Sequence, residues 1–153
     1  MSLLWIPGRL PGLNELIEAR MQRGKGLSTK GKRWSQYSDI KRQCEERIAL
    51  CARSQRFAPN GKHFNYLFVE GSQRRDPSNI SAGAVKMVED GLQKAKLLDG
   101  DGWKHVEGDT RYFHHDKLFE GVCLIVQDCP VLSKNAMLQR LHIYVQKGCV
   151  NHG

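Results

Sequence analysis

Apolar residues recur along this chain in two rhythms, and the switches between them mark out its elements. Leu3 to Ile6 is a short apolar run halted by Pro7, which predicts a first strand. Pro7 to Gly12 is rich in turn residues, and Leu13-Asn14-Glu15 opens a helix running to about Arg20. From Gly24 to Lys32 glycine and lysine replace any apolar period, so residues 22–34 read as a mobile basic loop. From Ser35 to Arg53, Tyr37, Ile40, Cys44, Ile48 and Cys51 recur at three- and four-residue steps, giving a helix with one core-facing stripe. Pro59-Asn60-Gly61 is a turn. His63 to Glu70 then reads as an aromatic-rich strand covered on both faces, with Phe64, Tyr66 and Phe68 on one side. Exposed, those rings would stack on bases; packed, they are core, and packing is the preferred reading.

The helical rhythm returns from Asn79 to about Lys96, where Ile80, Ala84, Val88, Leu92 and Ala95 share a face. Gly83 and Gly91 each cost about 1 kcal/mol against alanine there, which suggests close packing against a sheet. Trp103–Val106, Thr110–Phe113 and Leu118–Gln127 read as successive strands, with Glu107-Gly108-Asp109 a hairpin turn. After Pro130, Leu138, Leu141 and Val145 suit a helix, while Leu141, Ile143 and Val145 suit a strand; helix is preferred. The pattern predicts one α+β domain over residues 1–153, helices packed on a mixed or mainly antiparallel sheet, with a disordered tail from about 148.

Composition narrows the class. At 153 residues, 40% hydrophobic and 26% charged, the chain is an ordinary globular domain large enough for its own core. No apolar run approaches the roughly 20 residues that span a bilayer, and the N-terminus lacks the basic region of a signal peptide. Five cysteines without a C-x-x-C pair predict a reducing, cytoplasmic setting. Zinc ligation by Cys123, Cys129, His114 and His115 fits no usual spacing. The net charge of +8 is uneven: residues 1–56 carry 12 Lys/Arg against 5 Asp/Glu, residues 57–153 carry 12 against 11. Such a field draws polyanions, with a merely solvated basic face as the alternative.

Two acidic clusters flank the helix that begins near Asn79. One is Arg74-Arg75-Asp76-Pro77-Ser78-Asn79-Ile80, the other Asp99-Gly100-Asp101-Gly102-Trp103. A helix of about twenty residues holds its ends apart, so they meet only if the second cluster loops back over the first. Carboxylates beside arginines in a basic protein suit metal-dependent phosphodiester chemistry, because Mg²⁺ is held by one or two carboxylates plus water and phosphate. Each residue also has a plainer reading. Ser78 or Asn79 would cap the helix, Asp76 would favour its positive end, Asp99 to Gly102 would be a turn, and Lys86 with Asp90 an ion pair.

Together these segments resemble the RusA family of Holliday-junction resolvases, particularly its phage and prophage members. The likeness rests on the Arg74–Ile80 motif, the helix ending in Asp90-Gly91-Leu92-Gln93-Lys94-Ala95, the trailing Asp-Gly-Trp, and the opening Ile6–Glu15 segment; it covers roughly residues 3–127. The resemblance implies a homodimeric, Mg²⁺-dependent endonuclease (Mn²⁺ substituting) that nicks four-way DNA junctions symmetrically, from a bacterial or phage genome. It implies catalytic roles for Asp76, Asp101 and Lys86, and metal contacts from Asp76, Asp101, Asp99 and Ser78. Ser78 stands where the family motif has a second aspartate, which removes one charge and one strong ligand, with Glu70, at the end of the preceding strand, or Asp99 the candidates to compensate. Arg74 and Arg75 are the expected neighbours of the scissile phosphate. Arg9, Arg20, Arg23, Lys25, Lys30, Lys32 and Arg33 are the expected phosphate contacts of the basic half. The rival readings are a junction-binding module of the same fold, silenced by Ser78, and a basic RNA- or DNA-binding domain without catalysis.

Overall fold

A computed structural model describes residues 3–21, 23–27, 33–100, 102–128 and 131–148, with the backbone alone for 23–27 and 33–35. The elements, in order, are β1 (Leu3–Pro7), α1 (Leu13–Met21), β2 (Arg23–Leu27), β3 (Arg33–Ser35), α2 (Gln36–Ser54), β4 (His63–Glu70), α3 (Pro77–Lys94), β5 (Gly108–His115), β6 (Gly121–Val126) and α4 (Lys134–Gln146). Four strands form one mixed sheet in the order β1-β6-β4-β5; β4 and β5 are parallel, and the other neighbours antiparallel.

Alternation along β4 divides the core between the two faces of the sheet. Phe64, Tyr66 and Phe68 pack with Leu4, Ile6, Leu124 and Val126 against Ile48 of α2 and Val88 and Leu92 of α3. Leu67 and Val69 face the other way, with Leu3, Trp5, Cys123 and Ile125, and are covered by Met137 and Leu141 of α4. The aromatic row is therefore core and presents no stacking platform. The stripe read along α2 lies as expected, with Ile48 buried and Tyr37, Ile40, Cys44 and Cys51 packed against the same cluster.

Helix α4 settles the segment after Pro130. Ser133 caps it, its hydroxyl accepting the Ala136 N–H at 3.1 Å. Asn65, fully buried in β4, accepts the Leu132 N–H at 3.3 Å and donates to the Ile125 carbonyl at 3.1 Å, which ties the approach to α4 onto the sheet.

Four local expectations are corrected. Residues 23–27 and 33–35 form an antiparallel two-stranded ladder where a loop was expected; a backbone ladder needs no apolar period. Trp103–Val106 is a turn and not a strand, because the Gly102 carbonyl accepts the N–H groups of both His105 and Val106. Gly108 and Asp109 open β5, paired with His63 and Phe64, so Glu107-Gly108-Asp109 is no hairpin. The helix glycines admit neighbours other than the sheet. A Cβ on Gly83 would lie 2.6 Å from the Pro11 carbonyl oxygen, and one on Gly91 2.6 Å from the Ile48 side chain of α2.

Burial governs the cysteines as well. Cys123, enclosed in β6, has its thiol pushed far above the ordinary range by desolvation. Burial also raises Cys44 and Cys51, with the Arg47 charge opposing it. Iodoacetamide at about pH 8.5, the ordinary thiol pKa, should leave Cys123 unmodified until denaturant is added. Since the folded thiol stays protonated while the unfolded one ionises, stability should decline as pH rises through that value. Rapid native labelling of Cys123 would contradict the packing of β6.

Candidate functional site

Chain direction decides what meets what. β4 ends at Glu70, residues 71–76 turn over the sheet end, and α3 runs back towards the start of β4. Pro77 sits at the first helical position, where its missing N–H costs nothing. Asp76 is the N-cap, and the Ile80 N–H bonds to its carbonyl at 3.0 Å. Its carboxylate makes no cap hydrogen bond and lies exposed at the positive end of α3. Ser78 is exposed in the first turn, so the cap falls to Asp76 and to neither Ser78 nor Asn79.

Asn79 has another task. Its side-chain oxygen accepts the N–H of Asn14 at 2.8 Å, across 65 residues of sequence. Arg75 completes the clasp: Nη1 donates to the Leu10 carbonyl at 2.9 Å and lies 3.6 Å from Glu15, while Nη2 pairs with Glu70. Arg9 reaches Glu15 at 2.7 Å. Gly12 leaves the room this needs, since a Cβ there would come within 2.8 Å of the Asn79 amide nitrogen. Arg75 is thus a part of the scaffold, its side chain only 12% exposed, whereas Arg74 is exposed to solvent. Asn14 and Glu15 are residues of this clasp that periodicity could not assign, their one signal being a polar pair at a helix start, whereas Glu70, expected to compensate for Ser78 as a metal ligand, is held by Arg75.

Beside the clasp, at the C-terminal ends of the parallel pair β4–β5, lies a crevice of about 260 Å³ lined by Glu70, Ser72, Arg75, Pro77, Phe113 and His115. Crevices at that end of parallel strands are the common ligand position in open sheets. Its neighbours are firmly placed: Gly71 donates to the Glu120 carboxylate at 2.9 Å, and its carbonyl meets His115 Nε2 at 3.2 Å.

The second acidic cluster does not join the first within one chain. α3 spans 18 residues, or about 27 Å at the usual rise. The Leu97 N–H returns to the Leu92 carbonyl, Leu98 enters the core, and β5 then starts beside His63. Exposed Asp99 and residues 100 and 102 therefore lie at the opposite end of the sheet from Asp76, and the expected loop-back is overturned by the parallel pairing of β4 and β5. Asp101 lies outside the described residues. Lys86 is also elsewhere, ten residues or about 15 Å along α3 from Asp76, paired with Asp90 at 3.2 Å. Asp90 is approached by Lys41 of α2 at 3.8 Å as well. Among the described residues no three His, Cys, Asp or Glu side chains gather to hold a metal.

Of the expected phosphate contacts, Arg9 is half exposed in its pair with Glu15, and Arg20 lies 4.2 Å over the Tyr37 ring. The side chains of Arg23, Lys25 and Arg33, and residues Lys30 and Lys32 altogether, lie outside the described residues. No helix among the described residues is long and apolar enough to cross a membrane. Comparison with protein-family models, curated proteins and solved structures finds no match to this chain.

Proposed function

We propose that the chain is a RusA-type, Mg²⁺-dependent endonuclease that acts on four-way DNA junctions as a two-fold dimer. One observation carries the reading: the two segments that bear the resemblance, 6–15 and 74–80, are hydrogen-bonded to each other and together present Asp76. Exposed Arg74 and the N-terminal amides of α3 draw a phosphate to that place, and Arg75 holds the backbone that positions it. Bound Mg²⁺ would supply positive charge at the scissile phosphate and lower the pKa of its water.

Among the described residues a single chain offers one suitable carboxylate there, Asp76, because Glu70 is engaged by Arg75. Mg²⁺ accepts one or two carboxylates with water and phosphate, so the donor set fits at its lower limit. When two copies lie side by side with antiparallel strands, the sheet end carrying Asp99 of one copy lies against the Asp76 end of the other. Asp99 enters the proposal in that way, Asp101 enters it by the resemblance alone, and Lys86 has no part at Asp76 of its own chain. A C₂ dimer also matches the two-fold character of the junction, and the basic N-terminal half supplies shape-selective phosphate contacts.

A second reading has its own support. Ser78 and the separation of the acidic clusters favour a junction-binding protein that cuts weakly. Incubating the protein with a synthetic four-way junction and with linear duplex, in Mg²⁺ and in chelator, separates the two. Paired nicks on the junction alone, only with metal, support the nuclease. Tight junction binding without nicks supports the binding module, and neither binding preference nor nicks would remove both.

A further inference from the structure

Phosphate chemistry uses the margin of the crevice beside Asp76 and leaves its interior unexplained. Arg75 and Pro77, the chain neighbours of Asp76, both line it, so the exposed Asp76 stands at its margin. The lining is mainly apolar, from Phe113 of β5 and from Pro77 and Ile80 of α3. Phe113 stacks on Phe68 at 5.4 Å and is only partly buried. The aromatic row of the core therefore ends in one ring that reaches the crevice. At about 260 Å³ the space lies below the roughly 300–1,000 Å³ of sites for drug-sized molecules and suits one ring system.

Two side chains of the lining keep hydrogen-bonding capacity. Gln73 is exposed and bonds to none of the described residues, so its amide offers both donors and an acceptor. His115 Nε2 lies 3.2 Å from the Gly71 carbonyl. A carbonyl only accepts, so Nε2 carries the proton, and the neutral ring leaves Nδ1 as an acceptor. An apolar slot with a few fixed polar groups suits a flat heterocycle. A bare anion would need cations, and the only Lys or Arg among the described residues that line the slot is Arg75, already held by Leu10 and Glu70.

We propose that this crevice takes one unpaired nucleobase of the strand whose phosphate meets Asp76, with Phe113 as the stacking ring and Gln73 as the reader of the base edge. A phosphate drawn to exposed Arg74 and the start of α3 brings its own nucleoside to the adjoining crevice. Base pairs at a branch point lack a stacking neighbour on one side, so extruding a base there costs less than in continuous duplex. Stacking on an aromatic face tolerates any base, and the Gln73 amide adds the preference. The inference rests on the reading of residues 70–80 as a phosphodiester site. Its test needs neither a junction nor cleavage, so the two fail separately.

The probe is a single-stranded tetranucleotide carrying one 2-aminopurine, titrated into the whole chain in chelator and followed by fluorescence. A saturable change in emission is expected. An unlabelled tetranucleotide with an abasic residue at that position should compete at least about fivefold more weakly than the intact one. That preference should vanish in Phe113→Leu and shrink in Gln73→Ala. Gln73 is exposed, so its variant keeps the fold whatever Phe113→Leu does to the Phe68 contact, and circular dichroism checks both. Equal competition by intact and abasic strands overturns the proposal and leaves the nuclease reading standing, because phosphate alone is then bound. A preference that both variants retain, or no binding at all, overturns it too. A base preference of the expected kind in a protein that never nicks junctions upholds the crevice and removes the nuclease reading.

Discussion

Asp76→Asn should reduce metal-dependent nicking of a four-way junction by at least about a thousandfold, with junction affinity changed only a few-fold, on the proposed reading. The amide keeps the shape of the side chain and removes the charge that would hold a cation at the start of α3. A loss of that size corresponds to about 4 kcal/mol of transition-state stabilisation. A residue serving only as helix N-cap would behave otherwise. Asparagine caps as well as aspartate, so the substitution would then be nearly silent in every assay. Ser78→Asp is the complementary experiment. Ser78 is exposed two residues beyond Asp76, and a carboxylate there would add a second negative ligand near the same helix end. A gain of tenfold or more at limiting Mg²⁺ would show that the natural serine holds the activity down. No gain, in a wild type that already nicks, would mean that the carboxylates present suffice. A wild type and Ser78→Asp variant that both bind without nicking would set the nuclease reading aside.

What the sequence made legible follows from where the information resides. β1, β4, α2 and α3 bury whole faces, so apolar period alone outlines them, down to Phe64, Tyr66 and Phe68 sharing one side. The β2–β3 ladder was invisible because its order comes from backbone pairing over glycines and basic residues. The direction of β5 was missed for a different reason. Strand, long helix and strand in succession favour a parallel crossover, but turn chemistry at Glu107-Gly108-Asp109 suggested a hairpin. That misreading matters most, since parallel pairing is what sends Asp99 to the far end of the sheet from Asp76. Arg75, Asp76 and Asn79 stand together at the start of α3, yet residue type cannot separate an arginine that meets phosphate from one that supports the backbone.

That distinction can be measured. Arg75→Ala should lower folding stability by about 3 kcal/mol, read from urea unfolding, besides any effect on DNA binding. The guanidinium and the Glu70 carboxylate are each only 12% exposed, so its removal leaves a largely buried carboxylate without its cation and the Leu10 carbonyl without its donor. The cost of an orphaned charge exceeds the worth of the pair itself, whose desolvation already consumed much of the Coulomb gain. Arg75→Lys should recover little, because one ammonium cannot meet Leu10, Glu15 and Glu70 in the planar fork that guanidinium provides. Adding Glu70→Gln to Arg75→Ala should restore about 1–2 kcal/mol, since the orphan is then neutral; such non-additivity marks two residues in one network. Arg74→Ala makes the control: exposed, it should leave stability within about 0.5 kcal/mol of wild type while weakening polyanion binding and its salt dependence. If Arg75→Ala were as stable as Arg74→Ala, the clasp between residues 10–15 and α3 would rest on Asn79 alone, and Arg75 would return to the list of phosphate contacts.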